Sequence, residues 1–274
     1  MAELFTSLIL GDSADMACVG TGEASLVLTS PPYFPSTLEK ELAGSRKRQV
    51  RLAESWDVIE RFARTLAPVF AEMARVVGTA GVCCIETKDL KYGDFRLPLV
   101  ALHAALAREA GLWVRSSFTF RAAGIKPIHL PAFVDDPRVG NFRTLDASTM
   151  LVCSHPSWTP RSDGPVELSR RERLDLISPH WRVMPARRGR IHEHQTPPAV
   201  VRRMIELYSA EGELVVDPFA GSGQVLRIAR GLGRNAIGYE CDKARHQTAR
   251  QALDGCGDGP RRVRTARGAG GAKE

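Results

Sequence analysis

The chain has 274 residues, 43% of them hydrophobic and 25% charged, with a formal net charge of +7. That length and apolar content support one large α/β domain with an elaboration, and the basic excess favours a polyanionic partner. No apolar stretch approaches the roughly 18 residues of a membrane helix, the start lacks the basic and apolar regions of a signal peptide, and the six cysteines lack C-x-x-C spacing, so a cytoplasmic protein without a metal site is expected.

In chain order, an apolar run near residues 4–10 reads as a strand leading into Gly11-Asp12-Ser13. A second strand, 25–29, runs directly into Ser30-Pro31-Pro32-Tyr33. Residues 40–51 hold Lys40, Arg46, Lys47, Arg48 and Arg51 against one acid, Glu41. Apolar residues at helical spacing predict a helix over 55–76, followed by Arg75-Val-Val-Gly-Thr-Ala-Gly81 and a strand at 81–86 whose Cys83 and Cys84 read as core. A helix at 97–110 and a strand at 112–121 come next. Between 122 and 190 eight prolines interrupt the pattern, and only 148–154 reads as a strand. Trp158 and Trp181 there read equally as core or as surface. A helix at 198–209 follows His192-Glu-His-Gln195-Thr196-Pro197. The last elements are a strand at 213–217, a helix at 224–231, a strand at 235–240 and a helix at 242–253. The tail, 257–274, is rich in Gly, Ala and Arg without apolar periodicity and is expected to be disordered.

Two segments carry chemistry. Strand 213–217 ends in Asp217 and opens into Pro218-Phe219-Ala220-Gly221-Ser222-Gly223 before a helix. Glycines at 221 and 223 let the backbone take positive φ and approach a ligand, and the turn presents backbone N–H groups. The next strand ends in Glu240, placed to accept hydrogen bonds from ribose hydroxyls. The G-x-G-x-x-G of a dinucleotide cradle is missing, since Gln224, Val225 and Leu226 follow Gly223. A cofactor without a pyrophosphate fits better, and S-adenosyl-L-methionine is the natural candidate. In Ser30-Pro31-Pro32-Tyr33 the prolines remove two N–H donors and stiffen the backbone. The Ser30 oxygen and Pro31 carbonyl are then acceptors for both protons of an exocyclic amine, which holds its nitrogen nearer sp³. Tyr33 is placed to stack on the base, worth roughly 1–3 kcal/mol against the few kcal/mol needed to flip it.

These segments resemble the (D/N/S)-P-P-(Y/F/W) and D-P-F-x-G-x-G motifs of the DNA amino-methyltransferases, the N4-cytosine and N6-adenine family. With the catalytic motif first, the order resembles the permuted β group. Leu8–Ser13 is similar to the family's strand ending in Gly-Asp, which implies that Asp12 approaches the cofactor adenine. Residues 192–197 resemble H-P-x-Q-x-P, with Glu193 departing from Pro, and this brings Thr196 to the cofactor. Residues 75–81 are similar to R-V-L-K-P-G-G without its Lys-Pro. The resemblance implies a doubly wound, seven-stranded α/β methyltransferase fold over 1–256, with target recognition in 122–190. Permutation implies that the first and last strands lie side by side.

By that resemblance Ser30, Pro31, Pro32 and Tyr33 are catalytic. Asp12, Thr196, Asp217, Phe219, Gly221, Ser222, Gly223 and Glu240 hold S-adenosyl-L-methionine, with Asp217 toward its amino-acid end. Arg46, Lys47, Arg48, Arg138, Asn141, Arg143 and Arg187 are candidate contacts to double-stranded DNA. The Ser form of the motif leans toward cytosine N4, in a nucleoid-associated enzyme. C5-cytosine chemistry needs a thiolate nucleophile, typically after a proline, and no cysteine here follows one. Adenine N6, an RNA base and a catalytically silent DNA-binding protein stay open as alternatives, as do a homodimer and a cognate restriction endonuclease as partners.

Overall fold

The computed structural model describes residues 4–32, 52–92, 95–122, 147–159, 180–183 and 196–255, with Arg170, Arg171, Leu174 and Ser178. Its strands are β1 (Thr6–Leu10), β2 (Ala24–Thr29), β3 (Val82–Thr87), β4 (Leu90–Tyr92), β5 (Phe95–Leu97), β6 (Trp113–Ala122), β7 (Ser148–Ser154), β8 (His180–Val183), β9 (Leu214–Asp217) and β10 (Asn235–Glu240). Its helices are α1 (Leu52–Val77), α2 (Leu99–Glu109), α3 (Pro198–Tyr208), α4 (Gln224–Gly231) and α5 (Lys243–Asp254).

Among these residues one eight-stranded sheet runs β1-β10-β9-β2-β3-β7-β6-β8. The first five strands are parallel, and β7 runs antiparallel to both β3 and β6. β1 lies beside β10, with Leu10 opposite Glu240, as permutation requires. From β9 the chain winds one way, through α4 to β10. From β2 it winds the other way, through α1 to β3. The crevice between β9 and β2 is therefore the point where a doubly wound sheet binds ligands.

The central strands are buried on both faces: every residue of β2, β3 and β9 is buried, as expected for parallel strands between two helical layers. Alternation sends Cys83 and Ile85 to one face, with Phe62, Phe70 and Met73 of α1 and Leu99 and Leu106 of α2. It sends Leu26, Leu28 and Cys84 to the other, with Met204 and Ile205 of α3 and Leu226 of α4. Gly81 lies so close to β2 that a Cβ there would sit 2.3 Å from the Ala24 carbonyl oxygen.

All seven expected strands are present. The main sheet gains β8, four residues paired with β6, and a small hairpin, β4–β5, stands apart. Such short segments hold too few alternations to show a period. Helix α2 starts two residues late because Pro98 occupies its N-cap. Trp181 belongs to the core, and Trp158 packs against it partly buried. Trp181 is 5% exposed and stacks on Phe118 at 4.6 Å, while the Trp158 indole donates to the Ala80 carbonyl at 3.1 Å. Among the described residues no helix is long and apolar enough to cross a membrane.

Candidate active site

Because β1, β10, β9, β2 and β3 are parallel, their C-terminal ends share one edge of the sheet. That edge collects Asp12, Glu240, Asp217, Ser30 and Glu86, and antiparallel β7 adds its first residue, Ser148. The two motifs meet directly: the Thr29 hydroxyl, just before Ser30, donates to Asp217 Oδ1 at 2.7 Å. The same oxygen accepts the Phe219 amide at 3.2 Å. Asp217 is 3% exposed. Loss of water pushes its carboxyl up to about 7, opposed by those two hydrogen bonds and reinforced by the charge of Glu240. Asp217 thus acts as a bracket between the motifs, its Oδ1 turned inward.

The turn after Asp217 has the anticipated form. Gly221 (φ 50°) and Gly223 (φ 69°) are both left-handed, where a side chain costs roughly 1–2 kcal/mol. A Cβ on Gly221 would meet only the Phe219 carbonyl oxygen, at 3.8 Å. The turn is pinned to β10 by the Ala220 amide on the Tyr239 carbonyl, 2.8 Å, and by the Gly221 amide on Glu240 Oε2, 3.0 Å. Glu240 Oε1 takes the Asp242 amide at 2.9 Å. A carboxylate offers about four lone-pair sites, so Glu240 keeps acceptor capacity beyond these two bonds. The Gly11 amide donates to the Glu240 carbonyl at 3.2 Å, which sets Asp12 beside that strand tip. Asp12 Oδ1 accepts the Ala14 amide at 2.9 Å.

Pro31 is buried and Pro32 exposed. Thr196 lies at the same edge, its hydroxyl donating to Glu86 Oε2 and its carbonyl accepting the Gln224 side-chain amide at 2.7 Å. Tyr33, Arg46, Lys47, Arg48, Arg138, Asn141, Arg143 and Arg187 lie outside the described residues.

Sequence reasoning passed over Glu86. It is 3% exposed; its carboxylate accepts the Thr196 hydroxyl, and the Ser148 and Ser30 hydroxyls stand beside it and favour its charged form. Burial pushes its carboxyl above the ordinary range, and those hydroxyls and the charge of Lys88 pull it back. The signal was present: Glu86 closes a buried apolar run, as Asp217 and Glu240 do. No glycine turn or proline pair follows it to draw attention.

Comparison with known proteins converges on one family. The DNA methylase family model, of the N6/N4 methyltransferases, matches residues 24–251. Type II methyltransferase M.MjaI of Methanocaldococcus jannaschii is 27% identical over 269 residues, covering 86% of this chain and 87% of its own. Among solved structures, TTHA0409 of Thermus thermophilus, in complex with S-adenosyl-L-methionine, is 21% identical with a TM-score of 0.68, covering 90% of this chain and 93% of that one. The cytosine-N4-specific PvuII DNA methyltransferase is 17% identical with a TM-score of 0.66, covering 90% and 85%. The residues fit such a cofactor. At Gly221 a side chain would stand in nearly open space, whereas Gly223 packs on Ala249 and Leu253 of α5, and Glu240 at the next strand tip suits a diol. The chain belongs to the N6/N4 family of DNA methylases, and S-adenosylmethionine is its methyl donor.

Proposed function

We propose that this enzyme methylates the exocyclic N4 of cytosine within a specific sequence of double-stranded DNA, flipping the base out of the helix. The observation that carries the reading is Ser30 at the head of the Pro-Pro-Tyr motif, on the strand end bonded through Thr29 to Asp217. The likeness to a cytosine-N4-specific enzyme of the same fold supports it.

When bound, S-adenosylmethionine supplies an electrophilic sulfonium methyl. The protein's task is to raise the nucleophilicity of an amine whose lone pair is delocalised into the base. Ser30 Oγ and the Pro31 carbonyl accept the two amine protons, and Tyr33 stacks on the ring. Transfer is direct, without a covalent enzyme intermediate. Asp12, Thr196, Phe219, Gly221, Ser222, Gly223 and Glu240 form the cofactor site, and Asp217 braces the turn that receives the amino-acid end. Arg46, Lys47 and Arg48 grip the backbone beside the flipped base. Arg138, Asn141, Arg143 and Arg187, within a recognition region at 122–190, contact the target, and 257–274 forms a basic tail.

Methylation-sensitive sequencing of DNA from a host expressing the chain, beside a Ser30→Ala control, tests this. N4-methylcytosine in one motif, absent from the control, is the expected result. N6-methyladenine would keep the mechanism and overturn the base. No modified base in DNA would overturn the reading and direct the assay to RNA.

A further inference from the structure

The buried Glu86 has no part in the mechanism above. It is the penultimate residue of β3 and is neighbour to β2 through the Thr29–Ile85 register. Three segments bring hydroxyls to its carboxylate: Ser30 beyond β2, Ser148 opening β7, and Thr196 leading into α3. The link continues, because the Thr196 carbonyl holds the Gln224 amide at 2.7 Å, and Gln224 opens α4 directly after Gly223. A line of neighbours, Ser30–Glu86–Thr196–Gln224, therefore runs from the catalytic segment to the cofactor turn. A buried carboxylate is expensive to desolvate, and apolar packing often serves stability as well. Its presence here asks for another reason.

Ser30 has one hydroxyl proton and two acceptor lone pairs. Once that proton is given to the neighbouring Glu86, the oxygen can only accept. We propose that Glu86 is a positioning residue that makes Ser30 an obligate acceptor, so that the site admits a base carrying an exocyclic amine and refuses one carrying a carbonyl there. Through Thr196 the same carboxylate fixes the spacing between that acceptor and the cofactor turn. The inference rests on the reading of Ser30 as the amine's acceptor, and it extends that reading to substrate selection. A site built to pair with a donor rejects an analogue that leaves its buried groups unpaired.

The test uses the full-length protein and single-turnover methylation at saturating cofactor and DNA. Competition is measured with a duplex whose target amine is replaced by a carbonyl. Glu86→Gln keeps the shape, but its amide can donate to Ser30 and release the serine proton. The variant is expected to slow transfer by about a hundredfold and to gain about tenfold in relative affinity for the carbonyl duplex. In the Ser30→Ala background it should add little, because both changes remove the same device. Thr196→Val leaves the carboxylate in place; it is expected to raise the KM for cofactor while keeping the preference for the amine. Multiplying losses in the double variant, or unchanged discrimination in Glu86→Gln, would overturn the proposal. So would an unchanged cofactor KM in Thr196→Val. An inert Ser30→Ala beside a fully active Glu86→Gln sinks this inference alone. A fully active Ser30→Ala sinks the reading of Ser30, and this inference with it.

Discussion

Asp217 is a carboxyl that keeps its proton to far higher pH than usual. Its ordinary value of 3.8 rises to about 7 in the folded protein, through burial first and Glu240's charge last. A carboxyl raised in the folded state binds its proton more tightly there than in the unfolded chain. Its contribution to stability is complete below pH 4 and is lost as pH climbs through 7, on the order of 4 kcal/mol in all. Asn in its place can still accept from Thr29 and Phe219 and never ionises. Asp217→Asn should therefore gain in urea midpoint relative to the parent between pH 5 and pH 8. An offset that does not change with pH would contradict this account of the bracket.

At the scale of elements, the last turn of α1 organises the loop between β1 and β2. Arg75 donates to the Met16 carbonyl at 3.0 Å and the Val19 carbonyl at 2.9 Å, and pairs with Glu72 at 2.7 Å. Glu72 in turn accepts the Met16 amide at 2.8 Å. Arg75→Met strips two carbonyls of charged partners and should lower stability by about 1–3 kcal/mol, with faster proteolysis at residues 12–23. An unchanged urea midpoint and cleavage rate would show the clamp to be ornamental. The elements legible in the sequence were those with long patterns. β2 and β3 carry apolar runs, Leu26–Leu28 and Val82–Ile85, and α1 repeats Ile59, Phe62, Leu66, Phe70 and Met73 on one stripe. β4, β5 and β8 are set by pairing rather than by period. The site was legible at its glycine and proline turns, where backbone chemistry leaves a signature in sequence. Glu86 gains its meaning only from hydroxyls that three distant segments bring to it.

Across the whole molecule, the site is assembled from opposite ends of the chain. Thr29 and Asp217 are 188 residues apart, and the Phe5 amide bonds the Asn235 side chain across 230. Cofactor bound at this junction holds both ends, so it should stabilise the fold as one unit. At a hundredfold excess over Kd it should add about 2.7 kcal/mol, with near- and far-ultraviolet circular dichroism melts moving upward together. A shift in only one of the two would mean that unfolding is not a single cooperative step. Pairings of such long range also predict slow folding.

The seating of β2 between β3 and β9 has a consequence during synthesis. β2 leaves the ribosome early, gains β3 soon after, and then waits for β9 while most of the chain is made. Throughout that interval an apolar strand has one edge unpaired, a template for association with other chains. A chain interrupted in this interval carries the serine of the catalytic motif but no turn to receive a methyl donor. It is a substrate for chaperones and proteases that cannot mark DNA, so only translation carried through β9 and β10 yields a modifying enzyme.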